Sequence, residues 1–311
     1  MVVHLPVLLQ EVVLGLDPKP GETILDGTVG GGGHSEALCR KMEGKGTFVC
    51  MDADADAIAR SRERLTPPAG GCACEFHFVP KNFRFLDEAL ASVGITEIHR
   101  ALFDLGLSSF ALEESGRGFS FQKDEPLLMT FAKIPPPAGT PFTKGRTESE
   151  TLTAYEIVNT WSQEDIEKIL REFGEEWQAR RIAGALITAR KVSPIVSTAV
   201  LAEIIEKAIR RRGRIHPATK TFQALRIAVN DEYGALKEAL PKAWERLAKG
   251  GRLAVISFQS GEDRIVKQQF RAWADEEKGA RITKKPIVAG EEERKGNPRA
   301  RSAKLRIIEK K

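Results

Sequence analysis

The stretch Asp26-Gly27-Thr28-Val29-Gly30-Gly31-Gly32-Gly33-His34 constrains this chain more than any other: a short apolar run ends in an acid, and a glycine-rich turn then opens a helix. Glycine admits positive φ and lets backbone come close to a ligand, while a helix N-terminus presents free N–H groups. Strand, turn and helix in this order therefore make a cradle for a nucleotide-like group. Spelling excludes two such cradles. A P-loop needs Lys followed by Ser or Thr after its last glycine, where this chain has His34-Ser35. The dinucleotide fingerprint G-x-G-x-x-G fails in both registers, because its last position falls on Ser35 from Gly30 and on Glu36 from Gly31.

The remaining spelling, acid-x-G-x-G-x-G, is that of S-adenosylmethionine-dependent methyltransferases. It fits from Asp26, with Thr28 in the first glycine position and Gly30 and Gly32 in the others. Asp52 ends the next strand-like run, the place from which an acid hydrogen-bonds ribose hydroxyls. Cofactor and turn are thus matched before the rest of the chain is read.

The surrounding pattern is alternating. Residues 22–26, 46–52, 76–79 and 101–105 read as strands, with helices at 35–42, 54–65 and 85–93 between and after them. Such alternation argues for a parallel sheet covered on both faces. Between residues 108 and 216 no strand is expected. Residues 132–150, rich in Pro, Gly, Thr and Lys, read as a long mobile loop, followed by helices at 151–159, 162–172, 175–191 and 197–212. Alternation then resumes. Helices are expected at 219–229 and 232–247, the second ended by Gly250-Gly251, then a strand at 252–258, a helix at 262–276, and strands at 280–288 and 303–309. The expected architecture is an α/β, Rossmann-like domain with a mainly parallel sheet, built from residues 1–107 and 217–311. An all-helical substrate-recognition domain, residues 108–216, interrupts it.

Ligands of open parallel sheets bind beyond the carboxyl ends of the strands. Asp104 ends the fourth strand there and leads to Ser108, so both are candidates for positioning an acceptor. An acceptor amine needs an oxygen to orient its N–H or take its proton. The run Ser257-Phe258-Gln259-Ser260 opens onto the same edge, and Gln259 is a further candidate. The cations Arg211, Arg212 and Arg214, with Lys220 and Arg226 beyond, suit phosphate contact, and an exposed base of structured RNA is a fitting target. A net charge of +5 agrees with that partner. No apolar stretch approaches the roughly 20 residues of a membrane helix, and no signal peptide is visible, so a cytoplasmic protein is expected. Cys72, Cys74 and His77 lack paired Cys-x-x-Cys spacing; no metal is expected, and the four cysteines read as reduced thiols.

These residues resemble the bacterial 16S ribosomal RNA cytosine-N4 methyltransferase family over nearly the whole chain. The segments that carry the resemblance are His4-Leu-Pro-Val-Leu-Leu9, the glycine turn, Asp104-Leu-Gly-Leu-Ser-Ser109 and Arg117-Gly-Phe-Ser-Phe121. To these are added His216 through Ile227, Ile256-Ser-Phe-Gln-Ser260 with Glu262 through Lys267, and Asn297-Pro-Arg-Ala-Arg-Ser302. The resemblance implies a class I methyltransferase fold, S-adenosylmethionine as cofactor, and the amine of a decoding-centre cytosine in the small ribosomal subunit as acceptor. It places cofactor contacts on Gly32, Gly33, His34, Asp52, Phe83 and Asp104, in a monomer or homodimer. This chain departs from the family pattern in several places. Ala111 stands for a glutamine, Leu128 and Thr130 for an acidic and a basic residue, and Gln259 for a histidine, with Gly261 beyond. Those changes keep a second expectation open, a non-catalytic RNA-binding or ribosome-assembly protein that retains the cofactor site.

Overall fold

A computed structural model describes residues 5–66, 73–107, 110, 112, 115–131, 151–209 and 216–311. The chain divides into two compact units, residues 1–108 with 233–311, and residues 109–232.

The first unit holds a seven-stranded sheet. Its elements are α1 (Leu9–Leu16), β1 (Thr23–Asp26), α2 (Gly33–Lys41), β2 (Thr47–Met51), α3 (Ala55–Leu65), β3 (Glu75–Val79), α4 (Leu86–Ser92) and β4 (Ile98–Asp104). After the second unit, α10 (Glu232–Arg246) leads to β5 (Leu247–Ser257), α11 (Ser260–Asp275), β6 (Gly279–Arg281), α12 (Glu291–Gly296) and β7 (Lys304–Lys310). The spatial order is β3-β2-β1-β4-β5-β7-β6. All neighbours are parallel except β7, which runs antiparallel to β5 and to β6.

Strand residues alternate between two apolar layers, as a period of two requires when both faces are buried. Ile24, Phe48, Leu102, Ile256 and Ile307 enter one cluster with Val12, Leu16 and Leu38 of the α1 and α2 helices. Leu25, Val49, Phe103, Val255 and Ile308 enter the other with Leu86, Leu240, Trp244 and Phe270 of α4, α10 and α11. On that second face the Trp244 and Trp273 rings stack with centroids 4.3 Å apart. Order reverses at β1, whose neighbours are β2 on one side and β4 on the other. That reversal is the switch point at which doubly wound sheets open a crevice.

Three local expectations are corrected. Helix α1 has no counterpart among the expected elements, although Leu9, Val12, Val13 and Leu16 stand at helical spacing; it is only eight residues long and lacks a side-chain cap, so no start signal marks it. Gly250-Gly251 do not end α10, because the helix stops at Arg246 and both glycines lie inside β5. Lys310 caps this end, its Nζ donating to the carbonyls of Trp244 (2.8 Å), Glu245 (3.2 Å) and Leu247 (2.6 Å), a cation at the negative end of a helix. Lastly, Cys50 and Cys74 are free thiols, but Cys39 is disulfide-bonded.

The second unit contains α5 (Ala154–Thr160), α6 (Gln163–Glu172), α7 (Ala179–Val192), α8 (Thr198–Ile209) and α9 (Thr219–Asn230). Ser162 caps α6 by accepting from Asp165 N, and its hydroxyl donates to the Asp165 carboxylate. The expected boundary at residue 216 places α9 with the sheet, whereas the compact unit extends to 232. Helix α9 buries Phe222, Ala224, Leu225, Ile227 and Val229 and packs on α5 and α6, which accounts for the difference. The expected loop at 132–150 lies outside the described residues.

Lys310→Met keeps the aliphatic stem and removes the cap. It is expected to lower unfolding free energy by about 1–2 kcal/mol in urea titration, with the slope unchanged.

Candidate active site

The chain leaves β1 through Gly27, where a side chain has no room. A Cβ there would lie 2.3 Å from the Phe103 ring and 3.3 Å from Cβ of Phe83. Phe83 and Phe103 pack with centroids 5.4 Å apart, so the ring named by the sequence stands directly beside the turn. Gly30 and Gly32 take φ of +53° and +76°, conformations that side chains resist. A Cβ on Gly33 would lie 2.4 Å from Pro6, whereas one on Gly31 meets nothing within 4 Å. Gly31 thus borders open space at the mouth of the turn.

Thr28 stands where the motif has glycine, and its hydroxyl explains the substitution: Oγ1 accepts from the backbone N–H of Asp104 at 2.6 Å. Gly27 N donates to Leu102 O at 2.9 Å. Together these bonds tie the β1 exit to the β4 exit. A hydroxyl in a glycine position is the signal that the sequence offers for this bond.

Two carboxylates hold the turn from inside. Asp26 is buried, and accepts from Ser35 Oγ at 2.6 Å and from Thr28 N at 3.2 Å. Asp52 accepts from Gly30 N at 3.0 Å and Asp54 N at 2.9 Å, so the end of β2 grips the turn that follows β1. Burial pushes the Asp26 carboxyl up to about 6, against the Ser35 hydrogen bond, the nearby His34 and the Thr28 N–H. Loss of solvent likewise raises Asp52 to about 6, although its two backbone donors favour the anion.

His34 and Asp104 face each other across this floor. His34 lies in the first turn of α2, with Nε2 3.5 Å from Asp104 Oδ2, at the far limit of a hydrogen bond. Among the described residues neither imidazole nitrogen has a hydrogen-bond partner, and buried Asp104 Oδ1 has none. Buried polar atoms left open in this way are satisfied by something else, and a polar ligand answers that need. The open space at Gly31, the N–H groups of α2, the acceptor Asp52 and the Phe83 ring fit a ligand with ribose, carboxylate and cationic groups. Gly32, Gly33, His34, Asp52, Phe83 and Asp104 are therefore brought to one edge of one sheet.

Distant segments meet beside them. Asn297 Nδ2 donates to Leu5 O at 3.1 Å, and Leu8 N donates to Glu293 at 2.7 Å. Arg299 Nη1 donates to Leu107 O at 3.3 Å, just past Asp104. The first and last sequence motifs thus brace the start of α2 and the exit of β4.

Other expected residues have different surroundings. Gln259 precedes α11 and donates through Nε2 to Glu262 Oε1, while Tyr233 OH donates to its Oε1 at 3.3 Å. A Cβ on Gly261 would lie 2.0 Å from the Tyr233 hydroxyl, so that glycine makes the tyrosine possible. In the helical unit, Arg226 does not offer a free guanidinium, because Glu232 engages Nε at 2.7 Å and Nη2 at 2.9 Å. Lys220 Nζ donates to Glu175 O at 2.7 Å. Ser108, Ala111, Arg211, Arg212 and Arg214 lie outside the described residues. Leu128 and Thr130 are buried, at 4% and 2% exposure, in a segment held by Asn230 and Arg117.

A family model described as the MraW methylase family matches residues 1–311. The chain belongs to that family. It is an S-adenosylmethionine-dependent methyltransferase of class I, Rossmann-like fold. It is 43% identical over 326 residues to a Ribosomal RNA small subunit methyltransferase H from Heliobacterium modesticaldum, covering 99% of this chain and 98% of that protein. A protein of the same name from Geotalea daltonii is 42% identical, and one from a Paenibacillus species 40%, with 99% of this chain covered in both and 98% and 99% of theirs. A solved rRNA methylase from Streptococcus thermophilus is similar at a TM-score of 0.42 and 11% identity, over 97% of this chain and 93% of its own. No described helix of the methylase is long and apolar enough to cross a membrane.

Two outcomes follow for the site. Gly31→Ala places its methyl in open space and leaves folding intact, so its melting temperature should match wild type; S-adenosylmethionine affinity by calorimetry should fall about tenfold. The second concerns pH. Asp26 and Asp52 are raised to about 6 in the folded chain, against about 3.9 when unfolded. Their neutral forms favour the fold at low pH, and that contribution is lost as pH rises through 6. Cofactor binding favours the anions instead, so affinity should rise between pH 5 and pH 7 with proton release measurable near pH 6 by calorimetry in two buffers.

Proposed function

We propose that the chain methylates the exocyclic N4 amine of a decoding-centre cytosine in 16S ribosomal RNA, acting in the cytoplasm on the small subunit. The observation that carries this reading is the match, at 40–43% identity along entire chains, to proteins named Ribosomal RNA small subunit methyltransferase H. The geometry supplies what such a reaction needs from the protein. When bound, S-adenosylmethionine supplies an electrophilic methyl on a sulfonium. The N4 lone pair of cytosine is delocalised into its ring, so an acceptor that engages an N–H localises electron density on nitrogen. Asp104, with one buried oxygen lacking a partner, is suited to that task. Thr28 fixes the Asp104 backbone, and His34 Nε2 lies 3.5 Å from its carboxylate.

The departures at Leu128 and Thr130 are compatible with a stable fold. Where the resembled family has an acid and a base, both charges are replaced together and both new side chains are buried. Joint replacement leaves no lone buried charge, the costly case. The helical unit is assigned to RNA recognition, and Ser108 with the Arg211–Arg214 segment to contacts made when the subunit binds.

The test is nucleoside mass spectrometry of small-subunit RNA from cells with and without this chain, alongside methyl transfer in vitro. N4-methylcytidine is expected only with the active protein, and Asp104→Asn should cut kcat at least a hundredfold. Cofactor binding without transfer to any ribosomal substrate sinks the proposal and favours the assembly-factor alternative.

A further inference from the structure

The corner between α6 and α7, in the helical unit, displays an aromatic ring that no described residue of the unit covers. Trp177 is 70% exposed, whereas Trp244 and Trp273 are 6% exposed. A large exposed aromatic is informative because burying its 150–250 Å² would otherwise stabilise the fold.

The exposure is built in. Glu176 N donates to Leu170 O, Ala179 N donates to Glu176 O, and Gln178 N donates to the Glu176 carboxylate at 2.9 Å. From α9, Lys220 Nζ reaches Glu175 O and Gln223 Nε2 reaches Phe173 O at 3.0 Å. A Cβ on Gly174 would lie 2.7 Å from Lys220 O, so α9 lies directly against the corner. Glu175, immediately before the corner's buried acid, holds a left-handed φ of +47°. A loop pinned at so many points cannot fold Trp177 inward.

Arg180 and Arg181 follow the tryptophan, exposed, and among the described residues neither guanidinium makes a hydrogen bond or ion pair. They occupy the first turn of α7, which carries no acid. Cations at this end of a helix oppose the macrodipole, so neither is placed for the helix's own stability. Exposed Glu172 and Glu175 precede the ring, so the corner is not a uniform basic field. Its guanidiniums mark two discrete anion positions beside one stacking platform. A planar ring flanked by free guanidiniums is the chemistry that meets an unstacked base and its neighbouring phosphates. A protein partner would call for further apolar surface, and Trp177 stands here among charged and polar residues.

We propose that Trp177, Arg180 and Arg181 form a docking site for a single-stranded stretch of small-subunit RNA, the ring stacking on one base and the guanidiniums holding adjacent phosphates. This rests on the reading that the chain acts on that RNA, and it deepens it by naming a contact surface. Lys220, expected from the sequence to face RNA, braces this corner.

The experiment uses the full chain and three variants: Trp177→Ala, Trp177→Phe and the double variant Arg180→Ala/Arg181→Ala. Binding is measured on protein-free small-subunit RNA and on intact subunits, and methyl transfer is followed separately. Trp177→Ala should weaken binding to both about tenfold and raise KM alike, with kcat and S-adenosylmethionine affinity unchanged. Trp177→Phe should restore most of the loss. The double variant should weaken binding and reduce the salt slope by about 1.4, as loss of two single-strand phosphate contacts requires. Unchanged binding in Trp177→Ala overturns the proposal, as does a loss confined to intact subunits, which would mark a ribosomal protein as the partner. A wild-type protein that binds RNA through Trp177 yet transfers no methyl overturns the catalytic reading alone.

Discussion

The exit of β1 is crowded on one side and open on the other, and the active edge depends on that asymmetry. The Phe103 ring fills the space where a side chain on Gly27 would stand, while nothing lies within 4 Å of where one on Gly31 would point. The chain is therefore pressed against β4 as it leaves the sheet, and Thr28 completes the seam by accepting from Asp104 N. Asp52 draws the same turn toward β2 through Gly30. The cofactor floor, the acceptor-side carboxylate and the start of α2 are consequently one rigid piece. Desolvation of Asp26 and Asp52 is the cost, visible as two carboxyls raised to about 6. A cationic ligand offsets that cost, so the strain is greatest in the empty turn and least in the filled one.

Much of this was legible in the sequence because short-range rules govern it. Gly32, Gly33, His34 and Asp52 follow strands whose two-sided apolar pattern is unambiguous, and the structure brings them to one edge of the sheet. Phe83 was legible only through resemblance, since a lone aromatic in a loop carries no periodic signal; the structure sets it against Phe103. What escaped was decided by partners far away in the chain. Lys310 caps α10 from 64 residues beyond Arg246, and no local pattern near Gly250-Gly251 announces it. Arg226 looked like one more cation of a basic run, but Glu232 six residues later engages both faces of its fork.

The departures from the resembled family read differently once they are placed. Gln259, Gly261 and Tyr233 form a single local arrangement, with the glycine leaving room for the ring and the ring reaching the glutamine. Leu128 and Thr130 lie in a packed segment. Neither group removes a residue that holds the glycine turn or Asp104. Sequence alone lists substitutions one at a time, and cannot tell a coupled repacking from a set of separate losses.

The interrupted first unit has a consequence for how the chain is made. Residues 109–232 are contiguous, and their helices contact one another across short spans. The sheet is different, because β4 pairs with β5 across the whole of that segment. During synthesis Ile98–Asp104 emerges long before its neighbour, as an apolar strand with one open edge. The helical unit can therefore mature while the catalytic unit waits half-built, and that interval is when this protein is most exposed to wrong pairing and most in need of a chaperone.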